Sequence, residues 1–213
     1  MSSHELLMII ISAVIAYMLG SISPSTLIAR KHGINIKKAG SGNAGTTNTL
    51  RVLGAKAALA TLVIDIGKGI AAVGVGYLLA GRIGAMVSAP AAFIGHCWPV
   101  YYKFRGGKGV AVAFGVLVAL NPKIGFALLL ICVLAVLVTR RVSFGSIIAA
   151  IACPILCWFL MKDFFYIGLV MGILVLFNHR SNIMRLIRHE EDPVSISWFK
   201  KKTGGNDGSG NEK

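Results

Sequence analysis

Three polar stretches of this 213-residue chain hold residue types that could do chemistry on an anion. The first runs from Gly40 to Arg51 (GSGNAGTTNTLR). Gly40, Gly42 and Gly45 let backbone N–H groups approach a ligand closely, while Ser41, Asn43, Thr46, Thr47 and Asn48 supply hydroxyls and amides and Arg51 a planar cation. No carboxylate interrupts the run, so it suits a phosphate or acyl phosphate; the plainer reading is a polar connection between two membrane helices. The second stretch, Gly95 to Gly109 (GHCWPVYYKFRGGKG), sets Lys108 among Gly106, Gly107 and Gly109 just ahead of an apolar run. A helix starting there would add its own partial positive charge to that of the lysine. The third, Asn178 to Glu191 (NHRSNIMRLIRHEE), places His179 and Asn182 on one helical face with Arg185 about two turns on. Ser143 and Ser146 open a further apolar run.

The base for any reaction is harder to find. His96 and His179 are the candidates near the motifs, but His96 beside aromatics reads more simply as an interfacial residue, and His179 among cations as a binding group. Asp65 is the sole acid between Glu5 and Asp163, three residues ahead of Lys68, so the two can pair on one helical face either for function or for structure. No pair of carboxylates is expected to reach the motifs. Several phosphate and acyl-transfer signatures are absent: Thr46 stands where a Walker loop needs lysine, RGGKGV lacks the following Ser or Thr, and there is no GxSxG or HxxxxD. Cys97, Cys132, Cys153 and Cys157 lie in apolar stretches without ligand spacing, so neither metal nor disulfide is expected.

The elements that must position these residues are membrane helices. Mean hydropathy is +0.74, and only 14% of residues are charged, far below the soluble norm of about a quarter. The net charge of +14 does not point to nucleic acid, because the basic residues sit between hydrophobic blocks rather than on a soluble face. Apolar runs predict an all-α polytopic integral membrane protein in a lipid bilayer, with about seven spans, the N-terminus outside and the C-terminus cytoplasmic. The spans are Leu6–Ala29, kinked at Pro24; Ala57–Ala80; a third from Ala85 to Tyr102 after a short GRIG connection; a hairpin of two short helices split at Asn121-Pro122; Val142–Met161; and Phe164–Phe177. The N-terminus lacks a basic leader region, so the first span is read as retained. In this layout, of 22 Lys and Arg only Arg82, Lys123 and Lys162 fall outside and Lys68 lies within a span, as the positive-inside rule requires. One domain is expected over 1–202, with a disordered tail over 203–213.

The GSGN-x-G-x-TN-x-x-R loop, the GH-x-x-PV-x-x-x-F-x-GGKG segment and the NHR-x-N-I-x-RL ending, in this order, resemble the acyl-phosphate:glycerol-3-phosphate acyltransferase family of bacterial inner membranes. The similarity extends to about Arg188. It implies transfer of a fatty acyl group from acyl phosphate to the 1-hydroxyl of sn-glycerol 3-phosphate, giving lysophosphatidate and phosphate, the first acylation of phospholipid synthesis. It implies no cofactor, a cytoplasmic active site, and an enzyme that supplies acyl phosphate as a partner. The family pattern assigns the donor phosphate to Gly42, Asn43, Gly45, Thr46, Thr47, Lys108 and Ser143, and glycerol 3-phosphate to Ser41, Arg51, Lys108, His179 and Asn182. Ser41, Lys108 and His179 become the groups that position the reaction, with either a protein base or the donor's own phosphate taking the hydroxyl proton. Thr46 departs from the family's usual alanine, leaving its side-chain direction open. The rival reading is a transporter or exchanger of organic phosphates, with Asp65 and Lys68 lining a path.

Overall fold

The computed structural model describes residues 2–195, so the expected tail and the domain end at 202 lie outside the described residues. The order is α1 (Ser3–Ser21), α2 (Pro24–Lys31), α3 (Thr46–Leu53), α4 (Ala55–Cys97), α5 (Val110–Leu120), α6 (Pro122–Thr139), α7 (Val142–Leu160), α8 (Phe165–Asn178) and α9 (Arg180–Ile187), with no strand among the described residues. Ser2 and Glu5 form a capping box that starts α1. The kink expected at Pro24 is a full break: Ile22 and Ser23 are extended, and Pro24 opens α2, where its missing N–H costs nothing. Asn121 caps α6 by accepting from the Lys123 and Ile124 amides, which divides the run at the expected dipeptide.

Four helical stretches are long and apolar enough to cross a membrane: Ser3–Lys31, Ala55–Tyr102, Pro122–Thr139 and Val142–Leu160. A fifth arises if Lys162–Asn178 and Arg180–Ile187, bent by 60°, form one span. Large apolar side chains face outward, with Leu78 84% and Val138 85% exposed, as lipid contact requires. The chain is therefore an all-α integral membrane protein. The difference from about seven spans has two sources: α5 has only 11 residues, and the two spans expected on either side of GRIG count together as the one stretch Ala55–Tyr102. α4 is nevertheless folded back on itself, because Ala80 and Gly81 leave helical geometry, Gly81 at φ 56. Its arms then meet, Lys68 on one touching His96 on the other.

Glycines lie where the helices touch. A Cβ on Gly20 would strike the Ala92 backbone, one on Gly95 the Tyr17 carbonyl, one on Gly84 the Gly76 carbonyl, and one on Gly115 that of Ile66. With lipid outside and no water to expel, close backbone approach and dispersion hold such a bundle together. Polar bonds add to it: Ser88 Oγ donates to the Ser12 carbonyl and Tyr17 Oη to that of Trp98.

The packing sorts the turns to two ends. The Lys108 turn, the α6–α7 junction and the start of α9 gather at one, where Lys108 meets Asn182 and Arg141 donates to the Glu191 carbonyl. Arg82, Asn121, Leu160 and Asp163 gather at the other.

Candidate active site

The Gly40–Arg51 stretch is a loop running into α3, shaped from within by Asn48. The Asn48 side chain accepts from the Ser41 amide at 2.8 Å and donates to the carbonyls of Ala39 (3.0 Å) and Ile36 (3.3 Å). Asn48 therefore orders the loop rather than offering its amide to a ligand. Gly40 and Gly42 have φ of 58° and 71°, which side chains rarely adopt. Gly45 is the N-cap of α3 and no side chain caps it, so the first-turn amides stay open at the helix's positive end. Asn43 and Thr47 make no side-chain hydrogen bond among the described residues, and Ser41 is exposed. Thr46 turns inward: its Oγ1 is buried without a hydrogen-bond partner among the described residues.

The second motif folds back against the end of α4. Gly106 donates its amide to the Cys97 carbonyl at 3.0 Å and Gly107 to that of His96 at 3.2 Å. A Cβ on Gly106 would collide with the His96 and Cys97 carbonyls, and one on Gly107 with His96 Nε2 and the Ala44 carbonyl. Glycine is thus needed here for close approach, and Gly107 touches the first loop through Ala44. Tyr102 ties the two further: Lys37 Nζ donates to its carbonyl at 3.1 Å, and Arg30 and Lys37 lie over its ring.

Lys108 reaches from this turn to Asn182 Oδ1 on α9. Burial, then the nearby Arg185 guanidinium, lowers the Lys108 pKa to about 8, with Glu191 opposing. His179, at the α8–α9 bend, is buried with Nδ1 2.8 Å from the Val175 carbonyl. A carbonyl only accepts, so Nδ1 carries the proton and the neutral ring presents Nε2 as an acceptor.

The expectation that no pair of carboxylates reaches the motifs is corrected, because Glu191 and Asp192 both do. Glu191 Oε1 accepts from Ser143 Oγ and Asn182 Nδ2, both at 2.6 Å, and Oε2 from Arg185 Nε at 2.6 Å. Burial opposes ionisation of Glu191, but these three donors outweigh it and hold its pKa below the usual carboxylate value. Asp192 Oδ2 lies 3.6 Å from Arg51, and the Val194 amide donates to the Arg140 carbonyl. Left-handed His189, φ 59°, turns the chain back after α9 and delivers these acids. Sequence offered only a faint signal, three acids (Glu190, Glu191 and Asp192) and a proline after a basic amphipathic helix.

The structure thus brings Lys108, Ser143, Asn182 and Arg51 to one end of the bundle, linked through Glu191 and Asp192, with His179 beside them at the α8–α9 bend. Ser41, Gly42, Asn43, Gly45, Thr46 and Thr47 form the adjoining loop, joined through Ala44 and Gly107 rather than by side chains. Among the described residues no cluster of His, Cys, Asp or Glu could hold a metal.

A membrane-embedded bundle whose cationic side chains and glycine turns converge at one end defines an integral membrane protein with an end suited to an anionic compound. Residues 10–189 match the family of glycerol-3-phosphate acyltransferases. A protein of that name from Finegoldia magna (strain ATCC 29328 / DSM 20472 / WAL 2508) is 42% identical over 192 residues, 88% of this chain and 97% of the relative. Another, from Thermoanaerobacter sp. (strain X514), is 40% identical over 188 residues, 87% and 95% of the two chains. The crystal structure of PlsY (YgiH), an integral membrane glycerol 3-phosphate acyltransferase, in its glycerol 3-phosphate form superimposes with a TM-score of 0.84 at 31% identity, covering 89% of this chain and 96% of that one. Its lysophosphatidic acid form gives 0.81 at 30% identity, covering 90% and 98%. The chain belongs to the glycerol-3-phosphate acyltransferase family, and the transporter alternative falls with that membership.

Proposed function

We propose that the protein moves a fatty acyl group from acyl phosphate to the 1-hydroxyl of glycerol 3-phosphate, releasing inorganic phosphate and 1-acyl-glycerol 3-phosphate, at the cytoplasmic face of a bacterial inner membrane. The observation that carries this reading is the convergence of Lys108, Arg51 and Arg185 with an uncapped helix start and no metal cluster among the described residues. Such a set can hold two phosphates together against their repulsion. The donor phosphate lies in the Gly42–Thr47 loop and against Lys108; the acceptor phosphate lies on Arg51, Lys108 and Asn182, with Ser41 and His179 around the reacting hydroxyl. Ser143 donates its one O–H to Glu191, so it serves the donor phosphate by switching partner.

In the reaction the acceptor oxygen forms a bond to the acyl carbonyl carbon, the bond from that carbon to the phosphate oxygen breaks, and the electron pair leaves with phosphate. An acyl phosphate is already activated, so cations and backbone dipoles that steady the departing phosphate supply most of the assistance. The hydroxyl proton passes to the donor's own phosphate, while His179 Nε2 orients the hydroxyl. His179→Ala at saturating substrates then retains most turnover; a loss of many orders of magnitude in the chemical step would make the imidazole the base.

The acyl chain has a place to lie. An apolar cleft between α5, α6, α7 and α8, lined by Val110, Leu117, Leu128, Ala150 and Met171, starts two residues past Lys108 and ends at Val175, whose carbonyl holds His179. The topology fits a chain that crosses seven times, α4 counted as two spans and α5 as a short one, with the motif end in the cytoplasm because most Lys and Arg gather there. The deciding assay uses purified protein in detergent. Acyl phosphate and glycerol 3-phosphate yield lysophosphatidate and one equivalent of phosphate, whereas product only from another acyl donor would overturn the choice of acyl phosphate.

A further inference from the structure

Inside the bundle, away from the anion loops, three titratable side chains meet that the proposed reaction does not use. Lys68 Nζ lies 2.6 Å from the Ile22 carbonyl, 2.8 Å from Asp65 Oδ1 and 2.9 Å from His96 Nδ1, and all three side chains are almost wholly buried. His96 Nδ1 also lies 3.3 Å from the same Asp65 Oδ1, so the three side chains touch one another in a single buried cluster. His96 Nε2 lies against the position a Cβ of Gly107 would take, a position that also borders the Ala44 carbonyl, and the His96 and Cys97 carbonyls accept the Gly107 and Gly106 amides. One connected set of contacts runs from the end of α1, through both arms of α4, to the turn that carries Lys108 and on to the Gly40–Arg51 loop.

Burying an ion pair in a membrane span is expensive, and a well-packed apolar pair of similar volume is often as stable or more so. Stability is therefore a weak reason for Asp65 and Lys68 to be here. We infer that Asp65, Lys68 and His96 are positioning residues: the buried pair fixes the orientation of the imidazole, and the imidazole seats the Gly106–Gly109 turn so that Lys108 projects toward Asn182. None of the three touches substrate. This also assigns His96, which contacts no reacting group, to geometry rather than acid–base work. The consequence for catalysis rests on the acyl-transfer reading above; the seating of the turn does not.

The test uses full-length protein in detergent and three variants: His96→Ala, His96→Gln, which returns a polar amide near the Nε2 position, and the double change Asp65→Asn with Lys68→Met, which removes both charges at similar volume. The first readout is amide hydrogen exchange. Exchange over residues 106–109 rises about tenfold in His96→Ala and in the double variant, while α6 and α7 exchange as in wild type, and His96→Gln falls back toward the wild-type rate. The second is kinetics with acyl phosphate and glycerol 3-phosphate: kcat falls about ten- to a hundredfold in the first and last variants, thermal midpoints stay near wild type, and Gln restores part of the loss. Unchanged exchange at 106–109, or faster exchange spread evenly over the bundle, would overturn the inference. A wild-type protein inactive with acyl phosphate would count against the proposed donor alone, with the exchange measurement still deciding the role of the cluster.

Discussion

At one end of the bundle Lys108, Arg51 and Arg185 converge on Glu191 and Asp192, their geometry locked by glycine turns and buried amides. At the other, Arg82 and Asp163 meet at 2.7 Å with 65% of each side chain exposed. Arg185 and Glu191 meet at a similar 2.6 Å, but the Glu191 side chain is only 11% exposed and also holds Ser143 and Asn182, whereas the solvated far pair adds about 0–1 kcal/mol. The contrast teaches that burial and convergence, rather than a count of salt bridges, distinguish the end proposed for chemistry.

Changes at the two ends sharpen or break this contrast. Lys108→Met removes a cation shared by both proposed substrates and lowers kcat/KM by about a thousandfold, read from initial rates with purified enzyme. Wild-type efficiency would remove Lys108 from the site. Because the protonated amine is what binds an anion, and its pKa is lowered to about 8, the KM for glycerol 3-phosphate rises as pH climbs through that value rather than near the ordinary 10.5. Lys108→Arg, always charged, flattens the profile even if its rate is poor. Glu191→Gln leaves Arg185 without its carboxylate and frees Ser143 and Asn182; it costs about 2–3 kcal/mol of stability, seen as a lower thermal midpoint, together with a tenfold or larger fall in rate. Arg51→Ala costs about 1.5–3 kcal/mol of transition-state binding, roughly ten- to over a hundredfold in efficiency. Arg82→Ala, the control at the far end, stays within about twofold of wild type in both rate and midpoint. A large loss there would end the comparison.

What could be read from sequence followed from local rules. Apolar runs gave the helices, Asn121-Pro122 gave the break before α6, and three motifs gave the family and the residues that meet at one end. What escaped depended on distance in the chain or on backbone geometry. Glu191 joins Ser143 only because His189 adopts a left-handed turn, which is uncommon for a residue with a side chain. Lys68 was expected to pair with Asp65 three residues away, but its third partner, His96, comes from the returning arm of α4. The bend that brings it back sits at Ala80 and Gly81, at the start of the GRIG connection that the chain pattern marks. Asn48 looked like a ligand donor because residue type alone cannot show that three backbone groups already claim its amide.

The 11-residue length of α5 has a consequence for the donor. At 1.5 Å per residue it spans about 16 Å, roughly half of a bilayer core, so one of its two ends, the Lys108 turn or Asn121, lies below the headgroups unless the membrane thins around it. A site at the water boundary would make a lipid-dissolved donor lift methylenes out of the hydrocarbon at about 0.8 kcal/mol each. A Lys108 end lowered into the bilayer would let the tail of the proposed donor stay dissolved in lipid, so that only the small acceptor has to travel.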